Sequence, residues 1–96
     1  DGHKGFVLVA EENEEPVGAL VMIRTGMKGY IPENVLLYVA VSPSMRGKGI
    51  GTKLIKRSYD LTHGNIKLHV EYENPAKKLY ERLGFDNKYA EMRYRK

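Results

Sequence analysis

The hydrophobic pattern of the chain divides into short alternating or continuous apolar runs and two stretches of helical spacing. Residues 5–10 (Gly-Phe-Val-Leu-Val-Ala) and 17–24 (Val-Gly-Ala-Leu-Val-Met-Ile-Arg) predict two strands. The acidic stretch Glu11 to Glu15, closed by Pro16, joins them as an antiparallel hairpin. Gly26, Gly29 and Pro32 then mark a loop. Residues 35–41 (Val-Leu-Leu-Tyr-Val-Ala-Val) are the most continuous apolar run. Such a run predicts a central strand covered on both faces. Ser42-Pro43-Ser44 ends it.

Beyond a glycine-rich turn the period changes. Ile50, Leu54, Ile55, Tyr59 and Leu61 recur at helical spacing, with Lys53, Lys56, Arg57 and Asp60 between them, and Gly64 is a stop signal. Residues 66–72 alternate as a strand. A strand, a crossover helix and a strand imply a right-handed parallel unit. Asn74 suits an N-cap and Pro75 a first helical position; Ala76, Leu79, Tyr80 and Leu83 form the apolar stripe that follows. Gly84 suits a left-handed C-cap, with Phe85 folding back on the stripe. Ala90, Met92 and Tyr94 alternate with Glu91, Arg93 and Arg95, which predicts a final strand. The expected fold class is therefore α/β with a mixed sheet: an antiparallel hairpin, a parallel β-α-β unit, a second helix and a C-terminal strand. All of residues 1–96 are read as one domain.

Composition narrows the classes. At 96 residues, 42% hydrophobic and 29% charged, the chain matches a small globular domain and not a disordered one. Without cysteine it has no disulfide, no thiolate nucleophile and no Cys-ligated metal. Its apolar runs are far shorter than the ~20 residues of a membrane helix, and no charged segment precedes an apolar one at the start. The expectation is a cytoplasmic protein. Charge is uneven. Residues 1–43 carry three basic and six acidic side chains; residues 44–96 carry thirteen and six, a net of +7. That half either meets an anionic partner or presents a solvated basic face.

The anionic partner has a candidate seat. Gly47, Gly49 and Gly51 lie between an apolar strand and a helix, with Arg46 and Lys48 among them. Free N–H groups and the helix dipole favour an anion at such a turn, and absent side chains allow close approach. Arg46–Thr52 is thus a candidate cradle for phosphate or pyrophosphate. It is not a P-loop, because GxxxxGK[ST] fails, and the dinucleotide pattern GxGxxG fails at Thr52.

The pattern it does match is RxxGxG. The stretch LLYVAVSPSMRGKGIGTKLI, followed by LHVEYENPAKKLYERLGF, resembles the GNAT superfamily of acyl-CoA-dependent N-acetyltransferases over about half the chain, Leu36 to Phe85. The resemblance implies that acetyl-CoA is the cosubstrate and that no metal takes part. Backbone groups of Val39 and Val41 would hold the pantetheine arm. Those of Arg46, Gly47, Lys48, Gly49, Ile50, Gly51 and Thr52 would hold the pyrophosphate. Asn74 would contact the cofactor, a role that competes with capping its helix. Tyr80, the tyrosine of Leu-Tyr-Glu-x-x-Gly-Phe, would protonate the departing thiolate as general acid.

The acceptor implied is an amine attacking the acetyl carbonyl directly. Glu33, His69, Glu71 and Glu73 are candidate bases, and none is assigned. The chain departs from the family in lacking the usual strand and two helices before the hairpin, so truncation at the N-terminus is expected. An uncovered apolar surface there favours a homodimer. Asn74 and Tyr80 are six positions apart, where many members have seven. Two other readings stay open: a non-catalytic CoA-binding or regulatory domain, and a basic nucleic-acid-binding domain, for which no recognition motif speaks.

Overall fold

The structure is a computed structural model that describes residues 4–29 and 31–96. Three long strands form first. β1 (Phe6–Glu12) and β2 (Glu15–Arg24) pair antiparallel, with Val7 opposite Val21 and Val9 opposite Ala19. Asn13 and Glu14 turn the hairpin in the left-handed region, at φ 54° and 66°. β3 (Asn34–Val41) pairs antiparallel with β2, and a bulge between Val21 and Met22 leaves Leu37 as the extra residue. The loop between β2 and β3 closes on Thr25. Its backbone N–H donates to the Glu33 carbonyl at 2.9 Å, and its hydroxyl donates to the Pro32 carbonyl at 2.8 Å.

A short 3₁₀ turn (Pro43–Met45) leads to α1 (Ile50–Leu61). The helix crosses back over the sheet and buries Leu54 and Ile55 against Leu20, Met22 and Leu36. Ser58 is buried beside them, its hydroxyl donating to the Ile55 carbonyl at 2.6 Å. β4 (Ile66–Lys67) returns parallel to β3, giving the order β1-β2-β3-β4. A polar clip sets its register. The buried Asn34 amide donates to the carbonyls of His63 (2.8 Å) and Asn65 (3.2 Å), and the Glu33 carboxylate accepts from the Asn65 N–H at 2.8 Å.

α2 (Ala76–Arg82) follows. Gly84 (φ 103°) donates to the Glu81 carbonyl and Phe85 N–H donates to the Tyr80 carbonyl at 3.0 Å, the closed helix end that the Leu-Gly-Phe sequence predicts.

Three expectations need correction. The apolar run of β3 is covered on one face only: Leu37, Tyr38 and Ala40 are exposed, because α1 packs on the opposite face. The strand expected over residues 66–72 pairs only at Ile66 and Lys67; beyond them β4 leaves β3 and residues 68–72 form no ladder. The C-terminal strand expected around Ala90–Tyr94 is absent. Residues 86–96 are exposed and unpaired in any ladder, since the short β4 offers almost no strand edge beside them.

Candidate active site

The divergence of β4 from β3 creates the site. From Leu36 onward the side of β3 away from β2 has no strand partner. α2 stands across this gap. Between them lies a cleft of about 470 Å³, lined by Val39, Ala40, Val41, Arg46, Gly51, Ile55, Ala76, Leu79 and Tyr80. Five residues singled out in the sequence for chemistry or for the pantetheine and anion contacts, Val39, Val41, Arg46, Gly51 and Tyr80, thus line one cleft.

At one end of the cleft is the glycine turn. Gly47 (φ 81°) and Gly49 (φ 80°) adopt left-handed conformations that an L side chain rarely takes. Gly49 occupies the N-cap position of α1 and offers no side-chain cap. The first intrahelical bond there runs from Lys53 N–H to the Gly49 carbonyl, so the N–H groups of Ile50, Gly51 and Thr52 begin the helix without an intrahelical acceptor. Gly51 is informative for another reason. A Cβ on it would only touch the Val41 and Val39 side chains at 3.7 and 4.0 Å, ordinary contact distances. Packing therefore does not demand glycine at 51; the missing side chain keeps the cleft open beside N–H groups that lack an intrahelical acceptor.

At the other side is Tyr80. Its ring meets Phe85 edge-on, centroids 5.9 Å apart at 70°, and Phe85 in turn meets Tyr59 at 6.3 Å. The Tyr59 hydroxyl donates to the Leu83 carbonyl at 2.7 Å, tying the last turn of α1 to the end of α2. Burial pushes the Tyr80 phenol above its usual pKa, so it stays a proton donor through neutral pH.

Asn74 lies outside this cleft. Its side-chain oxygen accepts from the Ala76 N–H at 2.9 Å, a cap-type contact, and it lines a neighbouring hollow with Tyr72, Glu73, Pro75, Lys77, Lys78 and Glu81. None of Glu33, His69, Glu71 and Glu73 lines the cleft beside Tyr80. Glu33 sits at the far end of β3, where the Asn65 N–H holds its carboxyl below the usual range. Sequence patterning missed Ile55, Ala76 and Leu79 as cleft walls, since apolar positions at helical spacing read as core. It also missed the Tyr59–Leu83 tie, which joins residues far apart in the chain and leaves no local signal.

The model of the acetyltransferase (GNAT) domain matches residues 3–87. The chain belongs to the GNAT family. Among characterised relatives of this GNAT domain, a 5-NmdU N-acetyltransferase of Pseudomonas phage PaMx11 is 35% identical over 85 residues, covering 86% of the chain and 59% of the relative. An N-alpha-acetyltransferase 30 of Schizosaccharomyces pombe is 33% identical over 85 residues, covering 83% and 57%. The GNAT chain thus spans less than two thirds of each of these proteins. Among solved structures, a candidate acetyl transferase from Pyrococcus furiosus superposes with a TM-score of 0.84 over 97% of the chain and 66% of its own, at 24% identity. An aminoglycoside N-acetyltransferase solved with CoA superposes with a TM-score of 0.75 over 96% and 75%, at 20% identity. These likenesses show the shared fold.

Proposed function

We propose that this GNAT domain is the catalytic core of an N-acetyltransferase that moves an acetyl group from acetyl-CoA to an amine. The observation that carries the reading is the single cleft uniting the unpaired edge of β3, the glycine turn and Tyr80. The residues present fit the cosubstrate. An unpaired strand edge at Val39 and Val41 offers amides and carbonyls to the amide-bearing pantetheine arm. The uncapped start of α1, flanked by Arg46 and Lys48, offers N–H groups and positive charge to a pyrophosphate. Asn74 is assigned to the start of α2, and a cofactor contact from it would need its cap-type bond to be given up.

The chemistry asks little of covalent catalysis. The neutral amine attacks the thioester carbonyl, a C–N bond forms and the C–S bond breaks. The departing sulfur takes the Tyr80 proton, the amine loses one proton to solvent, and solvent returns one to the Tyr80 phenolate. The phenol is protonated at neutral pH, and burial, by raising its pKa, makes it the weaker acid, so the proton passes late, once charge has developed on the sulfur. The relatives' names point to nitrogen as the acceptor atom. No residue of the cleft identifies which amine it is.

The test is calorimetric titration with acetyl-CoA, CoA and dephospho-CoA, followed by turnover with an amine panel. Micromolar binding is expected, abolished by Gly49→Glu with Gly51→Glu. Tyr80→Phe is expected to lower turnover roughly a hundredfold and leave acetyl-CoA affinity unchanged. Unchanged turnover in Tyr80→Phe removes the general acid. Tight binding without transfer to any amine favours a CoA-binding regulatory domain instead.

A further inference from the structure

The helix that carries Tyr80 is lightly attached. α2 has seven residues, none of them fully buried. Tyr80, Leu83 and Phe85 pack against the core from this segment, each only partly buried. Apolar packing is non-directional, so it sets how deep these side chains lie and leaves the helix free to slide or roll. Among the described residues a single hydrogen bond joins α2 and the turn that ends it to α1 or to the sheet. The Tyr59 hydroxyl donates it, to the Leu83 carbonyl at 2.7 Å.

Tyr80 depends on that turn. Among the described residues its hydroxyl has no hydrogen-bond partner, so nothing polar holds the phenol where it lines the cleft. Its carbonyl accepts from the N–H groups of Leu83 (3.1 Å) and Phe85 (3.0 Å), and its ring rests edge-on against Phe85. Backbone and ring alike thus take their position from residues 83–85. Those residues take theirs from Tyr59: Leu83 through the hydrogen bond, Phe85 through a ring contact with centroids 6.3 Å apart. Tyr59 itself lines neither the cleft nor the neighbouring hollow. Its hydroxyl is committed to Leu83, so whatever it contributes to the reaction passes through Tyr80.

We infer that Tyr59 is a positioning residue for the transfer step: through Leu83 and Phe85 it sets the height and angle of the Tyr80 phenol in the cleft. The inference rests on Tyr80 acting as the general acid. A proton passed late to the sulfur needs the phenol within hydrogen-bond reach at that moment. A displacement of about 1 Å at a reacting group costs on the order of a hundredfold in rate. Cosubstrate binding makes no such demand on Tyr59. The glycine turn lies at the start of α1, and Tyr59 stands about 13 Å further along the helix.

The first test needs no ligand. In nuclear magnetic resonance spectra of the chain carrying ring-labelled tyrosine, the signals that Tyr80→Phe removes are those of Tyr80. Tyr59→Phe keeps the ring and deletes the bond, so a change at Tyr80 reports movement and not a lost ring field. The Tyr80 signals are expected to shift by more than their linewidth in Tyr59→Phe, and further in Tyr59→Leu, with weaker Overhauser contact to Phe85. Unmoved signals in both variants overturn the inference. The second test is turnover. Tyr59→Phe is expected to lower kcat about fivefold and Tyr59→Leu about thirtyfold, at unchanged KM for acetyl-CoA. In a Tyr80→Phe background the same substitutions are expected to have no further effect. Unchanged kcat in both variants, or an equal loss in both backgrounds, overturns the positioning role and leaves the general acid in place. Full turnover in Tyr80→Phe overturns the general acid, and the positioning role with it. Circular dichroism establishes that each variant is folded, and Tyr59→Phe decides alone where Tyr59→Leu unfolds the chain.

Discussion

Glu33 illustrates how little of a residue's role its type reveals. In the sequence it is an acid ahead of the central strand and a candidate base. In the structure its carboxylate caps the Asn65 N–H and lies over Gly64, where a Cβ would come within 2.5 Å of the carboxyl carbon. That contact lowers its folded pKa. A lowered carboxyl contributes stability above its unfolded value, and the contribution is lost as pH falls through the folded one. Glu33→Gln is therefore expected to flatten the acid side of the stability curve, read as melting temperature from about pH 6 to 3. An unchanged acid slope contradicts the clip. Gly64, by contrast, was legible as a helix stop, and its φ of 86° explains why only glycine serves there. At the candidate site, the glycine turn was legible because local backbone dictates it: Gly47 and Gly49 both take the left-handed region. The Asn65–Glu33 bond, remote from the cleft, was not legible, because a distant partner decides it.

Among the elements, those whose periodicity is uninterrupted came through from sequence to structure: β1, β2, α1 and α2 lie where the spacing puts them. The failures lie in strands, whose existence depends on a partner that the pattern does not contain. Residues 68–72 alternate properly yet pair with nothing, because β3 turns away from them. Residues 90–94 do the same for want of an edge. The helices have partners of their own. α2 buries none of its residues fully, and the Tyr59–Leu83 hydrogen bond with the Tyr59–Phe85–Tyr80 ring series is its tie to α1. Tyr59→Phe keeps the ring and removes the bond. A loss of about 1 kcal/mol is expected by urea titration. No change in the midpoint would mean the α1–α2 junction is held by ring packing alone.

Across the described residues the core is one-sided: α1 packs on one face of the sheet, while Val7, Val9 and Tyr38 on the other are exposed. Stability resides in the contact of Leu20, Met22 and Leu36 with Leu54 and Ile55. The C-terminal segment adds little to it. Its Arg93–Glu91 pair is exposed, and such pairs contribute little. Removing residues 90–96 is expected to shift the melting temperature by less than about 4 °C, the scale of 1 kcal/mol in a domain this size. A larger shift would give the segment a structural role. No helix among the described residues is long and apolar enough to cross a membrane.

The parting of β3 and β4 has a consequence for the chain's upkeep. For six residues, Leu36 to Val41, a strand in the interior of the sheet is in effect a boundary strand. Whatever enters that gap and satisfies its amides completes the sheet as a fifth participant would. Ligand binding there is then a folding event, and stability rises with the logarithm of ligand concentration over Kd. The free chain carries an adhesive edge open to chance pairing with other extended polypeptides. A molecule that paired with this edge would be expected to suppress such association.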